Sequence, residues 1–590
     1  MKKIFLIIIT LCVAAQSARA GFVEPEKAAQ CARGILGMKE MPAPEGSDSR
    51  RVSGRDGQDP EYYVFNNPEG GWVIIAADDR VSPVIAYSLE GSFPVDDMPS
   101  NVEYWMNDVA RSINLVRESE IEASALTKKA WESILRGNTP DSQNKEISTA
   151  KWNQTEPYNM LCPIVAGENK HSLVGCVATA MAIVMRHNCW PEHGKGVIGG
   201  YTSFIDYETY IPAYSIDDHV YDWDNMPMND ILAGNPEWTD NQKFQVAQLM
   251  HDCGVMVDMN YSKETSGTSG KHVADVFKNN MSYSESASRI LRAGYSLDEW
   301  FAVMRNEIDQ NRVVFYAGMG DVGGHAFVCD GYETDGSKLH INWGWGGIAD
   351  GYYTLDMRVS DDYTFGSNQE AVIGLAPNTT QVQLENVVSL ICVQTNGLYG
   401  IRPNLSTYMT IGVDFSFDVG YFQNISNNKI TCDFKICLED KDGNVKQEGW
   451  YANLSVLANT GKVYKKSTEE TALTVAPELT DRFRLYIKTD NDEWIPAPGN
   501  HDLLPDVDGL ICGVVPDPLI IVPSDCAAGK ETDLSLTLGF THVKSVKWSV
   551  NGTVLDGTRV TLVQGENAIR ADVEYLDGST GYIFRTLQLE

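Results

Sequence analysis

The 590-residue sequence predicts an α+β protein of several domains that ends in a tail built from strands alone. Apolar residues recur at helical spacing near the N-terminus, and the almost unbroken apolar run at 177–185 is typical of a helix buried on all sides. Past Pro377 the pattern alternates with the period of two that half-buried strands require. A chain of this length also exceeds the usual size of one hydrophobic core.

The N-terminus has the pattern of a secretory signal peptide, residues 1–20. Two lysines precede an apolar run, and Ala18-Arg19-Ala20 is a small-residue cleavage site. We therefore expect export, either as a secreted protein or to the cell surface. A lipoprotein anchored through Cys12 is the alternative, but the bulky Leu11 stands where a small residue is needed. No other segment approaches the roughly 18 apolar residues of a membrane span.

Composition excludes several classes of partner. The formal net charge of −33 argues against nucleic acids and anionic lipids. The cysteines beyond the signal peptide are too sparse for a disulfide scaffold, and their odd number leaves at least one thiol free. Cys432 and Cys437 stand five residues apart in a predicted strand, which puts them on opposite faces. No Cys/His group has zinc spacing, so we expect neither a metal nor another cofactor.

The first folded unit is predicted at residues 21–147. Its elements, in order, are a helix over 25–39, strands at 62–66, 71–77 and 84–88, and helices over 102–116 and 121–135. No residue of this unit has catalytic character. The polar stretch 137–150 contains a proline and has no period, so it is predicted to be a linker exposed to proteolysis.

A second domain is predicted at residues 148–377. Its elements, in order, are the helix that begins near Cys176, a helix over 244–254, a flexible Ser/Gly loop at 261–270, a helix to 308 opened by a Ser296–Glu299 capping box, and strands at 313–318, 325–332 and 338–345. Because helices come first and strands follow, the domain is predicted to have two lobes.

The tail is predicted to form two β-sandwiches, at residues 378–510 and 511–590, separated by a proline-rich stretch. The second has the short alternating strands of an immunoglobulin-like module. The DKDGN sequence at 440–444 is similar to a calcium loop, but its glycine comes too early, and a hairpin turn is the better interpretation. The sequence leaves the partner of this tail open.

Cys176 is the candidate nucleophile. It stands at the predicted N-terminus of the apolar helix, where unsatisfied backbone N–H groups favour a thiolate and lower the pKa of a cysteine. Gly175 lets the chain turn tightly into that helix. The alternative is a buried structural cysteine.

A cysteine nucleophile needs a base, a group that orients the base, and donors to the oxyanion. His325 follows a glycine loop and is the candidate base. Asn342 stands on the next predicted strand, where its amide oxygen can accept from the imidazole, and Trp343 can shield that bond from water. Gln154 and the Cys176 backbone N–H are the candidate oxyanion donors. Each of these side chains alone also has an ordinary structural explanation.

Together the motifs resemble the streptopain-type, papain-like cysteine peptidases of bacteria. The matching stretches, in chain order, are WNQ…PYN, GCVATAMAIVM, GGHAFVCDGY and HINWGWGGIADGYY, and YVFN…GGWVIIAADDR…VIAYS is similar to the propeptide of that family. The resemblance implies a papain-like two-lobed catalytic domain preceded by an α+β propeptide that inhibits it. It does not cover residues 378–590.

The same resemblance implies roles for individual residues in an autoprocessing zymogen that cleaves proteins or peptides. Cys176 is the nucleophile, His325 the base and acid, Asn342 the orienting residue, Gln154 an oxyanion donor and Trp343 the shield. The substrate cleft is lined by two glycine-containing loops, with these candidate residues: Ser266, Gly267, Ser269, Gly323 and Gly324.

Two other functional classes stay open at this level. One is a surface binding protein whose peptidase-like domain is not catalytic, and the other is a Cys-His acyl transferase. Transferases of that kind typically use an aspartate as third member, so Asn342 disfavours the second. Val177 stands where plant papains have a tryptophan, so subsite details do not transfer.

One geometric conflict concerns Asp335-Gly336, which invites a two-residue hairpin. That register places Cys329 opposite Asn342 and leaves His325 four residues away, about 13 Å along the strand. We therefore predict an irregular connection or a bulge, with the Asn342 amide oxygen near the His325 ring and the Cys176 sulfur on its other side.

Overall fold

A computed structural model gives the fold. It describes residues 21–38, 59–136, 144–354, 369–497 and 519–589, apart from 97, 119–122, 124, 166, 205–207, 231–237, 296, 321–322, 335–337, 385–389, 393–400, 405–411, 413, 420–421, 425–428, 441–442, 458–465, 476–480, 489–492, 524–525, 538–542 and 576–579. The predicted signal peptide, residues 137–143 of the predicted linker, Ser296 of the predicted capping box and the Asp335-Gly336 turn lie outside the described residues.

The helices of the described chain are α1 (Pro25–Ile35), α2 (Ser100–Glu118), α3 (Ala125–Leu135), α4 (Cys176–Asn188), α5 (Asp240–Met256), α6 (Val273–Asn280) and α7 (Leu297–Asp309). Helix α5 begins at a capping box in which Thr239 and Gln242 satisfy each other's backbone N–H groups. It runs two residues beyond the predicted end at Gly254.

The strands up to residue 373 are β1 (Tyr62–Asn66), β2 (Trp72–Ala76), β3 (Val84–Ser88), β4 (Lys145–Glu146), β5 (Val197–Ile198), β6 (Tyr201–Ser203), β7 (Thr209–Ile211), β8 (Tyr214–Ser215), β9 (Ser288–Leu291), β10 (Val314–Gly320), β11 (Gly323–Tyr332), β12 (Leu339–Asn342), β13 (Gly351–Tyr353) and β14 (Gln369–Ile373). The predicted strands at 62–66 and 84–88 coincide with β1 and β3. The mixture of helices and strands confirms the predicted α+β class.

One large antiparallel sheet joins the two predicted units. Its strand order is β1-β2-β3-β13-β12-β11-β10-β14-β9, and β4 pairs with β11 beside that path. The link is between β3 and β13, where Tyr87 pairs with Tyr352 and the two rings stack at 5.3 Å. The first unit therefore docks on the catalytic sheet by backbone hydrogen bonds as well as by side chains.

The core lies on both faces of this sheet. Phe315 and Ala317 of β10 belong to a cluster shared with α4, α5 and α6, whereas Val314 and Tyr316 belong to a cluster shared with α1, α2 and α7. The alternation follows from the strand period of two. Helix α4 packs against β10 and β11, and α2 contacts β11 from the other unit.

The second half of the predicted linker differs from its prediction. Residues 144–150 were expected to be exposed linker, but Lys145 and Glu146 pair with Tyr332 and Gly331 of β11. The Ile147 N–H then donates to the Asp330 carbonyl oxygen at 2.7 Å. Polar side chains suggested a linker because an edge strand keeps its side chains exposed while its backbone is paired.

The strands of the tail are β15 (Leu390–Cys392), β16 (Ile401–Asn404), β17 (Asp414–Val419), β18 (Phe422–Asn424), β19 (Ile430–Glu439), β20 (Val445–Val456), β21 (Lys466–Ser467), β22 (Thr471–Ala472), β23 (Arg482–Lys488), β24 (Trp494–Pro496), β25 (Leu519–Ile521), β26 (Glu531–Asp533), β27 (Ser535–Thr537), β28 (Val543–Val550), β29 (Thr553–Val554), β30 (Arg559–Thr561), β31 (Gly565–Tyr575) and β32 (Thr580–Leu589).

Two separate apolar clusters hold the tail, one around Trp450 and one around Trp548. Asp440 and Asn444 close the predicted hairpin turn between β19 and β20 through a backbone hydrogen bond of 2.9 Å. The immunoglobulin-like classification and the domain borders stay predictions. Within the described residues, no helix is long and apolar enough to cross a membrane.

Candidate active site

Cys176 is the first residue of α4, as predicted from the sequence. Gly175 before it has φ +94°, and a Cβ there would come within 2.7 Å of the Met259 side chain, so only glycine fits this turn. Cys176 is 9% exposed, and the Ala326 N–H donates to its Sγ at 3.4 Å. Burial raises the pKa of the Cys176 thiol and outweighs the nearby backbone N–H groups. The expectation of a lowered pKa is therefore wrong for this form of the protein.

His325 lies on β11, directly after Gly324. Its ring stacks on the ring of Tyr104 from α2, with centroids 4.9 Å apart and planes 27° apart. Its Nε2 is buried without a hydrogen-bond partner. Burial, with no neighbouring carboxylate to oppose it, lowers the pKa of His325 to about 4. The imidazole is therefore neutral at physiological pH.

The predicted contact between Asn342 and His325 is absent from the described residues. The Asn342 Nδ2 donates to Thr149 Oγ1 at 2.9 Å and to the Ala150 carbonyl oxygen at 3.0 Å. Its Oδ1 accepts from the Gly344 N–H at 3.0 Å. No hydrogen bond joins His325 to Asn342 or to Cys176 in this part of the chain.

The pairing of β11 with β12 tests the predicted irregularity between His325 and Asn342. A bulge between Cys329 and Gly331 shifts the pairing of β11 with β12, so Val328 rather than Cys329 faces Asn342. The predicted irregularity is confirmed. It shortens the separation by one residue only, and His325 still lies three residues from Val328, about 10 Å along the strand. The bulge alone does not bring the two side chains together.

Trp343, the predicted shield, lies in the core and not at the cleft. It is 0% exposed and packs against Trp105, Phe327 and Tyr353. The predicted strand at 338–345 ends at Asn342, since Gly344 has φ +72° and leaves the strand path. Two residues beyond Trp343, Trp345 lines the cleft.

A cavity of about 210 Å³ brings most of the predicted residues together. The predicted residues among its lining are Gln154, Cys176, Ser266, Gly267, Gly324 and His325. The lining also includes Glu264 and Thr265 of the predicted Ser/Gly loop, and four residues that the sequence did not point to: Ser100, Tyr104, Leu173 and Trp345. The apolar spacing of α2 predicted its buried face but not which of its side chains meets the cleft.

Two predicted cleft residues lie elsewhere. Ser269 is the N-cap of a short 3-10 turn, where its hydroxyl accepts from the Lys271 N–H. Gly323 pairs with Gly320 in the β10–β11 ladder. The loop that contains Ser266, predicted to be flexible, is closed by two backbone hydrogen bonds between Asn260 and Gly267.

Three buried nitrogen atoms on the cavity lining have no hydrogen-bond partner among the described residues. They are Gln154 Nε2, His325 Nε2 and Trp345 Nε1. Buried polar atoms without partners are rare in native proteins, and at a cleft they mark positions that a ligand satisfies.

The fold and this site together define a precursor of a thiol hydrolase. A cysteine at a helix N-terminus, an imidazole and an amide donor share one cleft, and a helix of the preceding unit covers them. A model of the peptidase C10 family matches residues 152–353, and a model described as Spi protease inhibitor matches residues 20–113. The chain belongs to the peptidase C10 family of cysteine peptidases.

Two curated relatives and one solved structure are similar to this chain. Streptopain of Streptococcus pyogenes is 32% identical over 340 residues, which cover 53% of this chain and 80% of the relative. The thiol protease/hemagglutinin PrtT of Porphyromonas gingivalis is 29% identical over 425 residues, and the chain spans only 47% of its length. A solved fragment of Prevotella intermedia prointerpain A is 27% identical and matches with a TM-score of 0.43 over 54% of this chain and 96% of that fragment.

Proposed function

We propose that the chain is an exported zymogen that matures by its own activity and then cleaves peptide bonds in proteins or peptides. The observation that carries the proposal is the cavity in which Cys176, His325 and the unpaired amide of Gln154 meet beneath Tyr104. Export depends on residues 1–20, whose signal-peptide pattern supports it.

In the proposed mechanism, release of the propeptide frees the His325 ring to take the proton of the Cys176 thiol. The resulting thiolate attacks the substrate carbonyl carbon, and the oxyanion accepts hydrogen bonds from Gln154 Nε2 and the Cys176 backbone N–H. His325 returns the proton to the leaving amine. Water, deprotonated by His325, then hydrolyses the thioester and regenerates the thiol. Asn342 is proposed to orient the imidazole.

The precursor is proposed to be silent for two physical reasons. Tyr104 occupies the face of the imidazole, and burial keeps the thiol protonated and the imidazole neutral. The ion pair of a reactive cysteine therefore does not form while α2 covers the cleft. The propeptide is proposed to act as an inhibitor by this contact.

The test is to incubate purified precursor beside a Cys176→Ala precursor, with no other protease present, and to follow the mass of each chain. We expect loss of the propeptide from the unmodified precursor only, together with cleavage of added denatured casein. Equal maturation of both proteins would contradict self-processing, and absence of casein cleavage after maturation would favour a binding role for the domain.

A further inference from the structure

The second half of the predicted linker, residues 144–150, runs along the two strands that carry His325 and Asn342. Its backbone is fixed to β11 by the β4 pairing and by the Ile147 N–H. Two and three residues beyond Ile147, Thr149 and Ala150 face the side chain of Asn342. The segment therefore contacts the catalytic strands directly at the residue proposed to orient the base.

The amide of Asn342 has only one possible orientation in this setting. Both hydrogens of Nδ2 are used, one on Thr149 Oγ1 and one on the Ala150 carbonyl oxygen. The Oδ1 atom therefore points away from this segment, and it accepts one hydrogen bond from the Gly344 N–H. An amide oxygen accepts two hydrogen bonds, so one lone pair is left for an imidazole N–H.

The hydroxyl of Thr149 is itself directed by a carboxylate. Thr149 Oγ1 donates its single hydrogen to Asp330 Oδ2 at 2.5 Å, and a carboxylate can only accept. The hydroxyl oxygen must then accept from Asn342. The three residues joined by these hydrogen bonds are almost fully buried, with Thr149 at 7%, Asp330 at 2% and Asn342 at 1% exposure.

His340 holds the other end of this chain of hydrogen bonds. Its Nδ1 lies 2.5 Å from Asp330 Oδ1, and its Nε2 lies 3.6 Å from Glu146. Burial opposes the charged imidazolium, but the carboxylates of Asp330, Glu146 and Asp350 outweigh burial and raise the pKa of His340 to about 9. Asp330 therefore contacts His340 through Oδ1 and accepts from Thr149 through Oδ2.

We propose that Thr149 is a positioning residue that fixes the orientation of the Asn342 amide, so that Asn342 Oδ1 is presented to His325 in the matured enzyme. The inference rests on the proposed function, since it gives Asn342 its role as orienting residue. Thr149 does not touch the substrate. It acts through a hydrogen-bonded chain in the order His340, Asp330, Thr149 and Asn342.

The experiment uses full-length precursors carrying Thr149→Val, Thr149→Ser or Thr149→Ala, each matured by a tagged unmodified enzyme that is then removed. Two properties are measured against pH: kcat and KM on fluorescein-labelled casein, and the rate at which iodoacetamide alkylates the Cys176 peptide, read by mass spectrometry. The second readout reports the thiolate and not the stability of the fold.

We expect Thr149→Val to lower kcat about tenfold with KM nearly unchanged, because one positioning hydrogen bond is lost. The pH at which alkylation reaches half its maximum should rise by about one unit, since the imidazolium is no longer held beside the thiolate. Thr149→Ser keeps the hydroxyl and should stay within about threefold of the unmodified enzyme in kcat. If Thr149→Val prevents folding, the comparison of Thr149→Ser with Thr149→Ala tests the inference instead. Both side chains are smaller than threonine and fit its site, and only serine keeps the hydroxyl.

The matched control is Thr239→Val, which removes the hydroxyl of the α5 capping box, away from the cavity lining. It should lower stability and leave both readouts unchanged. Thr149 variants that keep the kcat and alkylation profile of the unmodified enzyme would overturn the inference and leave the proposed function intact. Equal losses in the Thr239 and Thr149 variants would also overturn it. An unmodified enzyme no more active than Cys176→Ala would instead contradict the proposed function.

Discussion

Two histidines on neighbouring strands of this sheet have opposite electrostatic settings. His340 on β12 lies 2.5 Å from Asp330, and its pKa is raised to about 9. His325 on β11 meets the ring of Tyr104 and no carboxylate, and its pKa is lowered to about 4. Burial alone opposes charge on both rings, so the neighbouring carboxylates decide the difference. The comparison teaches that the unpaired histidine is the one available for chemistry.

The side-chain amides near the cleft also divide into one that is paired within the protein and one that is not. Asn342 uses both of its amide hydrogens inside the protein, whereas Gln154 Nε2 is buried without a partner. A protein that leaves a buried donor unsatisfied loses stability at that position. Such donors on a cavity lining are therefore the best structural marks of the groups that meet substrate.

The sharpest way to break this comparison is to replace each histidine by glutamine. We expect His325→Gln to lower kcat/KM on casein by at least about 10³-fold, because the base is lost, with little loss of stability. His340→Gln should lower the unfolding free energy first, because it removes a buried charged pair, and should lower kcat/KM by no more than about tenfold. Urea unfolding and steady-state kinetics on matured protein measure both. Similar activity losses in the two variants would show that pairing does not separate the two roles.

Gln154→Ala tests the unpaired amide. The lost donor acts on the developing oxyanion, so we expect kcat to fall by about 10²-fold while KM changes little. Asn153→Ala is a nearby control, because its side chain accepts from the Gln154 backbone N–H and does not line the cavity. A Gln154→Ala enzyme with unchanged kcat would remove Gln154 from the mechanism.

Sequence patterns predicted the parts of this molecule that depend on local spacing. The strands β1 and β3, the helix that begins at Cys176 and the cleft residues Gln154 and His325 follow from period, capping and motif. The bulge near Asp330 followed from a conflict between a turn signal and the required chemistry. Each of these features depends on residues that lie close together in the sequence.

The features that the sequence did not predict are tertiary. Tyr104 comes from another unit, and no local pattern indicates that its ring covers His325. The pairing of Lys145 and Glu146 with β11 is equally remote in sequence, and exposed polar side chains gave the pattern of a linker. Burial also raises the pKa of Cys176 in this covered form and outweighs the backbone N–H groups at the start of α4.

The two histidines should change the free energy of unfolding in opposite pH ranges, His340 at alkaline pH and His325 at acidic pH. His340 has a folded-state pKa of about 9, above its ordinary value near 6.5, so its stabilisation is complete below pH 6.5 and is lost as pH rises through 9. His325 has a folded-state pKa of about 4, so its protonation favours unfolding or opening as pH falls from 6.5 towards 4. Each window is worth at most about 3 kcal/mol.

Urea unfolding of the Cys176→Ala precursor, which cannot digest itself, gives the free energy of unfolding in and between these pH ranges. It is measured at about pH 5, 7 and 10. We expect the cost of His340→Gln to be largest at about pH 5, somewhat smaller at about pH 7 and smallest at about pH 10. The His325→Gln protein should lose less stability on acidification than its parent. Parallel pH curves for the parent and both variants would contradict the assigned charge states.

The smallest expected effect concerns Tyr104, whose ring stacks on His325. Tyr104→Ala removes the ring stacked on His325, so isolated propeptide carrying this change should inhibit the matured enzyme about tenfold less strongly than unmodified propeptide.

Asn107→Ala on the same helix is the matched control, because Asn107 is exposed and lies outside the cavity lining. Inhibition constants on casein at neutral pH measure the difference between the two propeptides. Loss of the ring should also let the His325 imidazole reach water, so the pKa lowered to about 4 should return towards its ordinary value in the complex with the Tyr104→Ala propeptide. If both propeptides inhibit equally, the sheet pairing between β3 and β13 supplies the affinity, and the contact of Tyr104 with His325 is incidental to inhibition.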